Sequence, residues 1–345
     1  MSSSMPTIHD VAALAGVSPS TAKRAIHQPD KLAKETLAKV LKAIDALGYE
    51  PDQTASALRR GRNLSIGLLV GDILEPFFTS LTHIIGQEVR AKGYSLLIAD
   101  NQYQADLELQ NLKMFSGHKI SGLIIRPAYG NLNAEYLKRL EARGTIIIEI
   151  DYTHDNSPFS HILLNNEQAV GEAVRYLYDL GHERIAFVGN HHTTECPEER
   201  HKGFLQTVKA LSLPYENYLA KDMSNLSSVV EHQAYDATIR LMQLSQAPTA
   251  LVSISGMCGV GVFRALKELK LRIPEDVSLI TFDNYPWTNL VSPPLDVIEQ
   301  PVEVMAKTTA ELLLSEIESP TKAITKKRFP AKLIRRGSCA PPKKS

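Results

Sequence analysis

Residues Thr7–Ile26, TIHDVAALAGVSPSTAKRAI, decide the reading of this chain. They divide into two short helical runs joined by a tight turn, each with a polar residue at its start. Thr7 and Asp10 have the spacing of a capping box, in which the hydroxyl takes a first-turn N–H and the carboxylate returns to the cap's own N–H. Ala12 lets a second helix approach, and Gly16 supplies the positive φ of the turn. Ser18 stands at the N-cap of the second helix, with Pro19 in its first turn, where a missing N–H costs nothing. Val11, Leu14, Val17 and Ile26 are the expected core of the pair. Such a helix-turn-helix presents the N-terminal side chains of its second helix to base edges in a DNA major groove.

Beyond this pair, a third amphipathic helix is expected from about Ala33 to Leu47, with Val40, Leu41, Ile44 and Leu47 as its apolar face and Gly48 as its stop. These helices make a headpiece over residues 1–50. Tyr49-Glu50-Pro51-Asp52 breaks the pattern, and a hinge and linker follow over 51–63. From Leu64 the period changes. SIGLLV, YSLLIAD, SGLIIR and TIIIEI form one series of apolar runs, and SHILL, ERIAFVG, TALVSI and DVSLITFDN a second, with helical runs between them. Alternating β and α predicts mostly parallel sheets with helices on both faces. The expected fold is an all-α helix-turn-helix headpiece followed by an α/β core of two similar lobes over 64–345. Lobe one is assigned about 64–160 and 293–322, and lobe two about 161–292 and 323–336, with a basic C-terminal tail. Leu295 to Glu299 and the helix from Val302 to Glu318 are expected to return to lobe one. Ligands of such folds bind at the C-terminal ends of strands, here in the cleft between lobes.

Basic and acidic residues balance at 38 each, yet they are distributed unevenly. Residues 1–64 hold nine Lys/Arg against six Asp/Glu, residues 65–321 twenty against thirty-two, and residues 322–345 nine against none, so the segments carry +3, −12 and +9. A basic headpiece on an acidic body docks a polyanion in one direction. The basic tail reads as a solvated segment, with a second nucleic-acid contact as the alternative. No apolar run approaches a membrane span or the core of a signal peptide, so a cytoplasmic protein without a membrane partner is expected. Cys196, Cys258 and Cys339 have no metal-ligand spacing and read as reduced thiols; no cofactor is expected.

Taken along the whole chain, these features resemble the lactose-repressor (LacI/GalR) family. Besides the opening stretch, the resemblance is carried in order by Tyr49-Glu50-Pro51-Asp52, Ser65-Ile66-Gly67-Leu68-Leu69, Glu75-Pro76-Phe77-Phe78, Gly181-His182-Glu183-Arg184-Ile185-Ala186, Arg200-His201-Lys202-Gly203-Phe204, Arg272-Ile273-Pro274-Glu275-Asp276-Val277-Ser278 and Ser292-Pro293-Pro294-Leu295. It implies a periplasmic-binding-protein-like core, a homodimer on a pseudo-palindromic operator, and a small-molecule effector that controls DNA affinity. Pro19, Ser20 and Arg24 fall where the family contacts bases, and Arg suits the paired acceptors of guanine. Ser18, Thr21 and Lys23 suit phosphate contacts that fix register, and Thr7 joins them at the start of the first helix. The family also implies a hinge helix in the minor groove, with Ala55 and Arg59 beside Leu58 as the residue wedged into the central base step. The family's Thr-Val-Ser-Arg is Thr21-Ala22-Lys23-Arg24 here, so the operator is expected to depart from the common half-site. The C-terminal RGSCAPPKKS has no apolar heptad and predicts no tetramerising coil.

Asp72, Phe77, Phe78 and Arg126 are the expected effector contacts from lobe one. Asp151, Arg200, Asp283 and Trp287 complete the set. Carboxylates accept paired hydroxyls, Arg grips an anion or hydroxyl, and aromatic rings cover an apolar sugar face. Ser255-Gly256 and Asn165-Asn166 replace the Asn-Asp and Asp-Asn of many sugar-responsive relatives. These changes lean the reading from a neutral sugar toward a sugar acid or sugar phosphate. An α/β enzyme acting on a carbohydrate-like substrate is the alternative. Against it, Gly259-Val260-Gly261 lacks the third glycine of a dinucleotide loop. His191-His192, near Cys196 and Glu198, lacks the spacing of a tetrahedral metal site. No Ser/His/Asp set stands in a nucleophile elbow, and no catalytic residue is assigned. A free-standing solute-binding receptor would explain the core but leave the headpiece without a role.

Overall fold

A computed structural model describes residues 6–49, 64–189, 199–215, 225–321 and 323–343. The chain divides into two compact units, Met1–Asn63 and Leu64–Ser345.

In the first unit, α1 (Ile8–Ala15), α2 (Pro19–His27) and α3 (Lys34–Leu47) pack around a small core. The capping box at Thr7 and Asp10 is formed on both sides, and Gly16 has φ 66° at the turn. The Ser18 hydroxyl accepts from the N–H of Thr21. The core is built from Val11, Ala12, Ala22, Ala25, Val40 and Ala43, all under 4% exposed. Four alanines among them bring the helix axes close and leave no room for bulk at the edge of the stripe. Leu14 and Leu41, expected in the core, are accordingly 56% and 48% exposed. Val17 and Ile26 are half-buried.

The second unit carries two sheets. In chain order its elements are β1 (Ser65–Val70), α4 (Pro76–Ala91), β2 (Ser95–Asp100), α5 (Ala105–Gly117), β3 (Gly122–Ile125), α6 (Ala134–Ala142), β4 (Ile146–Ile150), β5 (Ser160–Leu164), α7 (Asn166–Asp179), β6 (Ile185–Val188), α8 (Glu199–Ala210), α9 (Ser227–Met242), β7 (Ala250–Ser253), α10 (Gly256–Glu268), β8 (Ser278–Phe282), α11 (Pro286–Leu290), β9 (Asp296–Glu299), α12 (Val302–Glu318), β10 (Lys326–Phe329) and β11 (Lys332–Ile334). The first sheet runs β10-β5-β4-β3-β1-β2 and is parallel throughout. The second runs β11-β9-β8-β7-β6, with only β11 antiparallel. Central strands such as β3, β7 and β8 are buried along their whole length, because helices cover both faces.

Strand pairing moves three segments between lobes relative to the sequence reading. SHILL was expected to open lobe two, but β5 pairs with β4 in the first sheet. Leu295 to Glu299 was expected to return to lobe one, but β9 pairs with β8 in the second. Only α12 returns, packing against α4 and the first sheet. The basic tail is no solvated appendage: residues 323–336 were assigned to lobe two, but β10 extends the first sheet beside β5 and only β11 joins the second, beside β9. Ser338 beyond it is fully buried. Apolar runs show that a strand exists but not which partner it takes. The chain therefore crosses between lobes at Asn165, at Gln300-Pro301 and at Pro330-Ala331.

Candidate functional site

On α2 the inward positions are Ala22 and Ala25, one turn apart, so Ser20 and Arg24 face outward together and are exposed. Pro19 is exposed beside them, and Thr21 and Lys23 are half-buried. The Ser18 and Thr21 hydroxyls bond each other at 2.8 Å, and Thr7 is bonded to Asp10 at 2.7 Å. Ala55, Leu58 and Arg59 lie outside the described residues, as do His191, His192, Cys196 and Glu198.

In the second unit, the C-terminal strand ends of both lobes converge on a cleft that encloses a cavity of about 90 Å3. Phe77, Phe78, Arg126, Asp151, Arg200 and Asp283 all line it. Asp72 and Trp287 do not. Asp72 is 3% exposed and accepts the N–H of Ser227 at 2.7 Å, tying the lobes together beside the cavity. Trp287, on the short α11, turns its ring toward Phe263 of α10, with centroids 6.2 Å apart.

Two aspartates occupy matched positions in the two lobes. Asp151 follows β4 and Asp283 follows β8, each as the first residue past its strand, and their φ values are 68° and 69°. Non-glycine residues hold this left-handed conformation at a cost, and such strain clusters at ligand sites. Gly256 N donates to Asp283, and Gly256 also makes room for Tyr285, whose ring would lie 2.1 Å from an added Cβ. The Ser255-Gly256 departure is thereby explained: Ser255 caps α10 and Gly256 admits the Tyr285 ring.

Arg200 stands in the first turn of α8. Its Nε donates to Asn166 Oδ1 at 2.8 Å, its Nη1 to the Ile254 carbonyl at 2.6 Å, and its guanidinium lies 3.8 Å from the Phe282 ring centre. Arg126 is enclosed by Tyr103, Tyr129 and Tyr152, at 4.6, 4.4 and 4.7 Å from its guanidinium carbon to the ring centres. Burial alone would lower its pKa, but Tyr129 and Asp151 hold it above the usual value. These three tyrosines were missed in the sequence. The signal was available: each stands two to four residues past a lobe-one strand, at the end where ligands of α/β folds bind. Behind Arg126, buried Glu108 accepts from Asn133 at 2.9 Å and from the N–H of Ala128 at 2.5 Å, fixing the loop that carries Arg126 and Tyr129.

Glu75 was also missed as a site residue, although its neighbours Phe77 and Phe78 were not. It accepts Tyr285 Oη at 2.6 Å and Ser227 Oγ at 2.9 Å, both from lobe two. The Phe77 N–H donates to Tyr285 Oη at 3.0 Å, and Asn225 Nδ2 to Tyr129 Oη at 2.7 Å. These bonds hold the lobes together around the cavity. Burial, reinforced by the charge of Asp283, pushes Glu75 up to about 7. Burial also raises Asp151, against the pull of Arg126. The lining holds Glu75 and Glu199 besides the aspartates that the sequence singled out. Among the described residues, no group of His, Cys, Asp and Glu could hold a metal ion, and no helix is long and apolar enough to cross a membrane.

Comparison with known proteins places both units. The lacI-family model of bacterial regulatory proteins matches residues 7–52, and a periplasmic binding protein-like domain matches residues 174–339. The HTH-type transcriptional repressor PurR of Aliivibrio salmonicida is 28% identical over 316 residues, covering 91% of this chain and 93% of that protein. The lac repressor dimer bound to operator and the anti-inducer ONPF has the same fold, with a TM-score of 0.83 at 20% identity over 98% of this chain and 100% of that one. A LacI family regulator from Enterococcus faecium with bound ribose is 25% identical, with a TM-score of 0.70 over 80% of this chain and 99% of that one. The chain thus carries a lacI-family helix-turn-helix domain and a periplasmic binding protein-like domain. It is a transcriptional regulator with a DNA-binding headpiece and a two-lobed effector-binding core.

Proposed function

We propose that this regulator is a cytoplasmic repressor that binds a pseudo-palindromic operator as a homodimer and changes its operator affinity when a small molecule enters the cleft. It is a binding protein and not an enzyme. Ser20, Arg24 and Pro19 read bases, while Ser18, Thr21, Lys23 and Thr7 set register on phosphates. Ala55, Leu58 and Arg59 serve the minor-groove contact that the family resemblance implies. Phe77, Phe78, Arg126, Asp151, Arg200 and Asp283 bind the effector. The observation that carries this reading is the pairing of a capped helix with an outward Ser20–Arg24 face and a cleft bridged by Glu75, Tyr285 and Ser227. An effector acts by binding one lobe arrangement more tightly than another, so a cavity crossed by hydrogen bonds between lobes is where such a preference arises. The test is a gel shift with genomic fragments. Wild type should give a specific band, and Arg24→Ala should lose about 1–3 kcal/mol of sequence discrimination while keeping salt-sensitive background binding. Undiminished discrimination in that variant would remove Arg24 from base reading.

A further inference from the structure

Gln300 lies at the crossing between β9 and α12, is 7% exposed, and lines the cleft. Its Nε2 donates to Asp283 Oδ1 at 2.7 Å. A carboxylate oxygen only accepts, so the amide cannot be turned round, and the remaining atom is fixed as oxygen. That Oε1 is buried and has no hydrogen-bond partner among the described residues. A buried acceptor without a donor is costly, and a ligand N–H supplies what it lacks.

The charges around it point the same way. Glu75, Asp151, Glu199 and Asp283 line the cleft against Arg126 and Arg200. Glu199 is paired by two bonds to Arg328, at 2.8 and 3.0 Å, and Asp151 lies 3.6 Å from Arg126. Among the described residues, Glu75 and Asp283 are then balanced by Arg200 alone, which leaves an excess negative charge. Arg126 does not offset it, because its charge is already met by Asp151. The groups facing Glu75 are Ser227 from α9, Tyr285 and Asp283 from the loop after β8, Arg200 from α8, Asp72 from its own loop and Tyr103 from the loop after β2.

We propose that the effector is a small organic cation, a polar molecule with a protonated nitrogen whose N–H rests on Gln300 Oε1 and whose charge is met by Asp283 and Glu75. This rests on the reading of the cleft as the effector site. Because Glu75 titrates near neutrality, the cation binds more tightly as the pH rises and that carboxyl loses its proton; an anion would show the opposite slope.

The test uses the full-length protein on its selected operator fragment, with a small-molecule extract of bacterial cells separated by ion exchange into cation-retained, anion-retained and unretained fractions. The activity that changes operator binding should lie in the cation-retained fraction. Its potency should rise about five-fold between pH 6 and pH 7, as the deprotonated share of Glu75 grows. Gln300→Met, which keeps bulk but removes both the acceptor and the N–H bonded to Asp283, should weaken that response at least about ten-fold while leaving operator binding unchanged. Activity in the anion-retained or unretained fraction, potency that rises as the pH falls, or a full response from Gln300→Met would overturn the proposal. If no fraction and no whole extract alters operator binding, the effector reading itself fails, and the cation with it.

Discussion

Replacing Gly203 by alanine tests how the cleft is built. Gly203 sits in α8 against the first turn of α7. A Cβ there would lie 2.5 Å from the Glu167 carbonyl oxygen, 2.6 Å from its Cα and 2.9 Å from its carbonyl carbon. These are backbone atoms, so no side-chain rotation relieves the clash. Restoring an ordinary 3.4 Å contact requires α8 to retreat by 3.4 − 2.5, about 0.9 Å. Arg200 is one turn earlier on the same helix, and its 2.8 Å bond to Asn166 would stretch to about 3.7 Å, past hydrogen-bond range. Overpacking of this kind costs about 1–3 kcal/mol. Alanine's better helix propensity returns about 0.5–1 kcal/mol, for a net loss of up to about 2.5 kcal/mol. At about 2–4 °C per kcal/mol for a domain of this class, the core should melt lower by up to about 10 °C. Thermal unfolding measures the first effect and effector-driven change in operator binding the second, which should weaken while operator binding without effector stays intact. A variant that melts with wild type and responds fully would refute the account of how α8 is positioned.

Other perturbations probe other parts. Arg200→Ala should abolish the effector response and leave operator affinity unchanged; a normal titration in a gel shift would displace Arg200 from the site. Thr7→Ala removes a capping box and should cost the headpiece about 1 kcal/mol, read as a lower melting point of the isolated transition by circular dichroism, and an unchanged melt would count against the cap's role. Glu149 is 2% exposed, and burial pushes it up to about 7. Its folded pKa lies above its unfolded value, so the folded state binds the extra proton. Stability from this group is present below about pH 4.5 and is lost as the pH rises through about 7, a difference of up to about 3 kcal/mol. Glu149→Gln should flatten the melting temperature between pH 6 and pH 8, and an unaltered slope would place the titration elsewhere.

Local chemistry in the sequence was read where it acts locally. The capping box at Thr7, the left-handed Gly16 and the Ser18 cap depend on residues a few positions apart, and all three form. The helix Val302–Glu318 likewise begins and ends where its periodicity placed it. Pairing across the chain was not legible in the same way. β5 and β9 joined the opposite sheets from those expected, because an apolar run carries no label for its neighbour. The strands Lys326–Phe329 and Lys332–Ile334 were hidden by their charge: edge strands show one side to solvent, and lysines there keep the edge from pairing further. In the cleft, the sequence named Asp151 and Asp283, the first residues past β4 and β8, but neither the tyrosines around Arg126 nor the bridge of Glu75, Ser227 and Tyr285. Asp72, Glu75, Ser227 and Tyr285 meet only after folding, across more than 150 residues of sequence. Trp287 followed Asp283 closely in sequence, but α11 directs it to Phe263 instead of the cavity.

The central claim is that this chain reads a DNA sequence. Selection of genomic fragments by the purified full-length protein at near-physiological salt tests it most directly. The account predicts recovery of a shared site with two half-sites related by two-fold symmetry, one helical turn of DNA apart or a multiple of it. Recovery of fragments with no common sequence, with or without the small-molecule extract present, would contradict it.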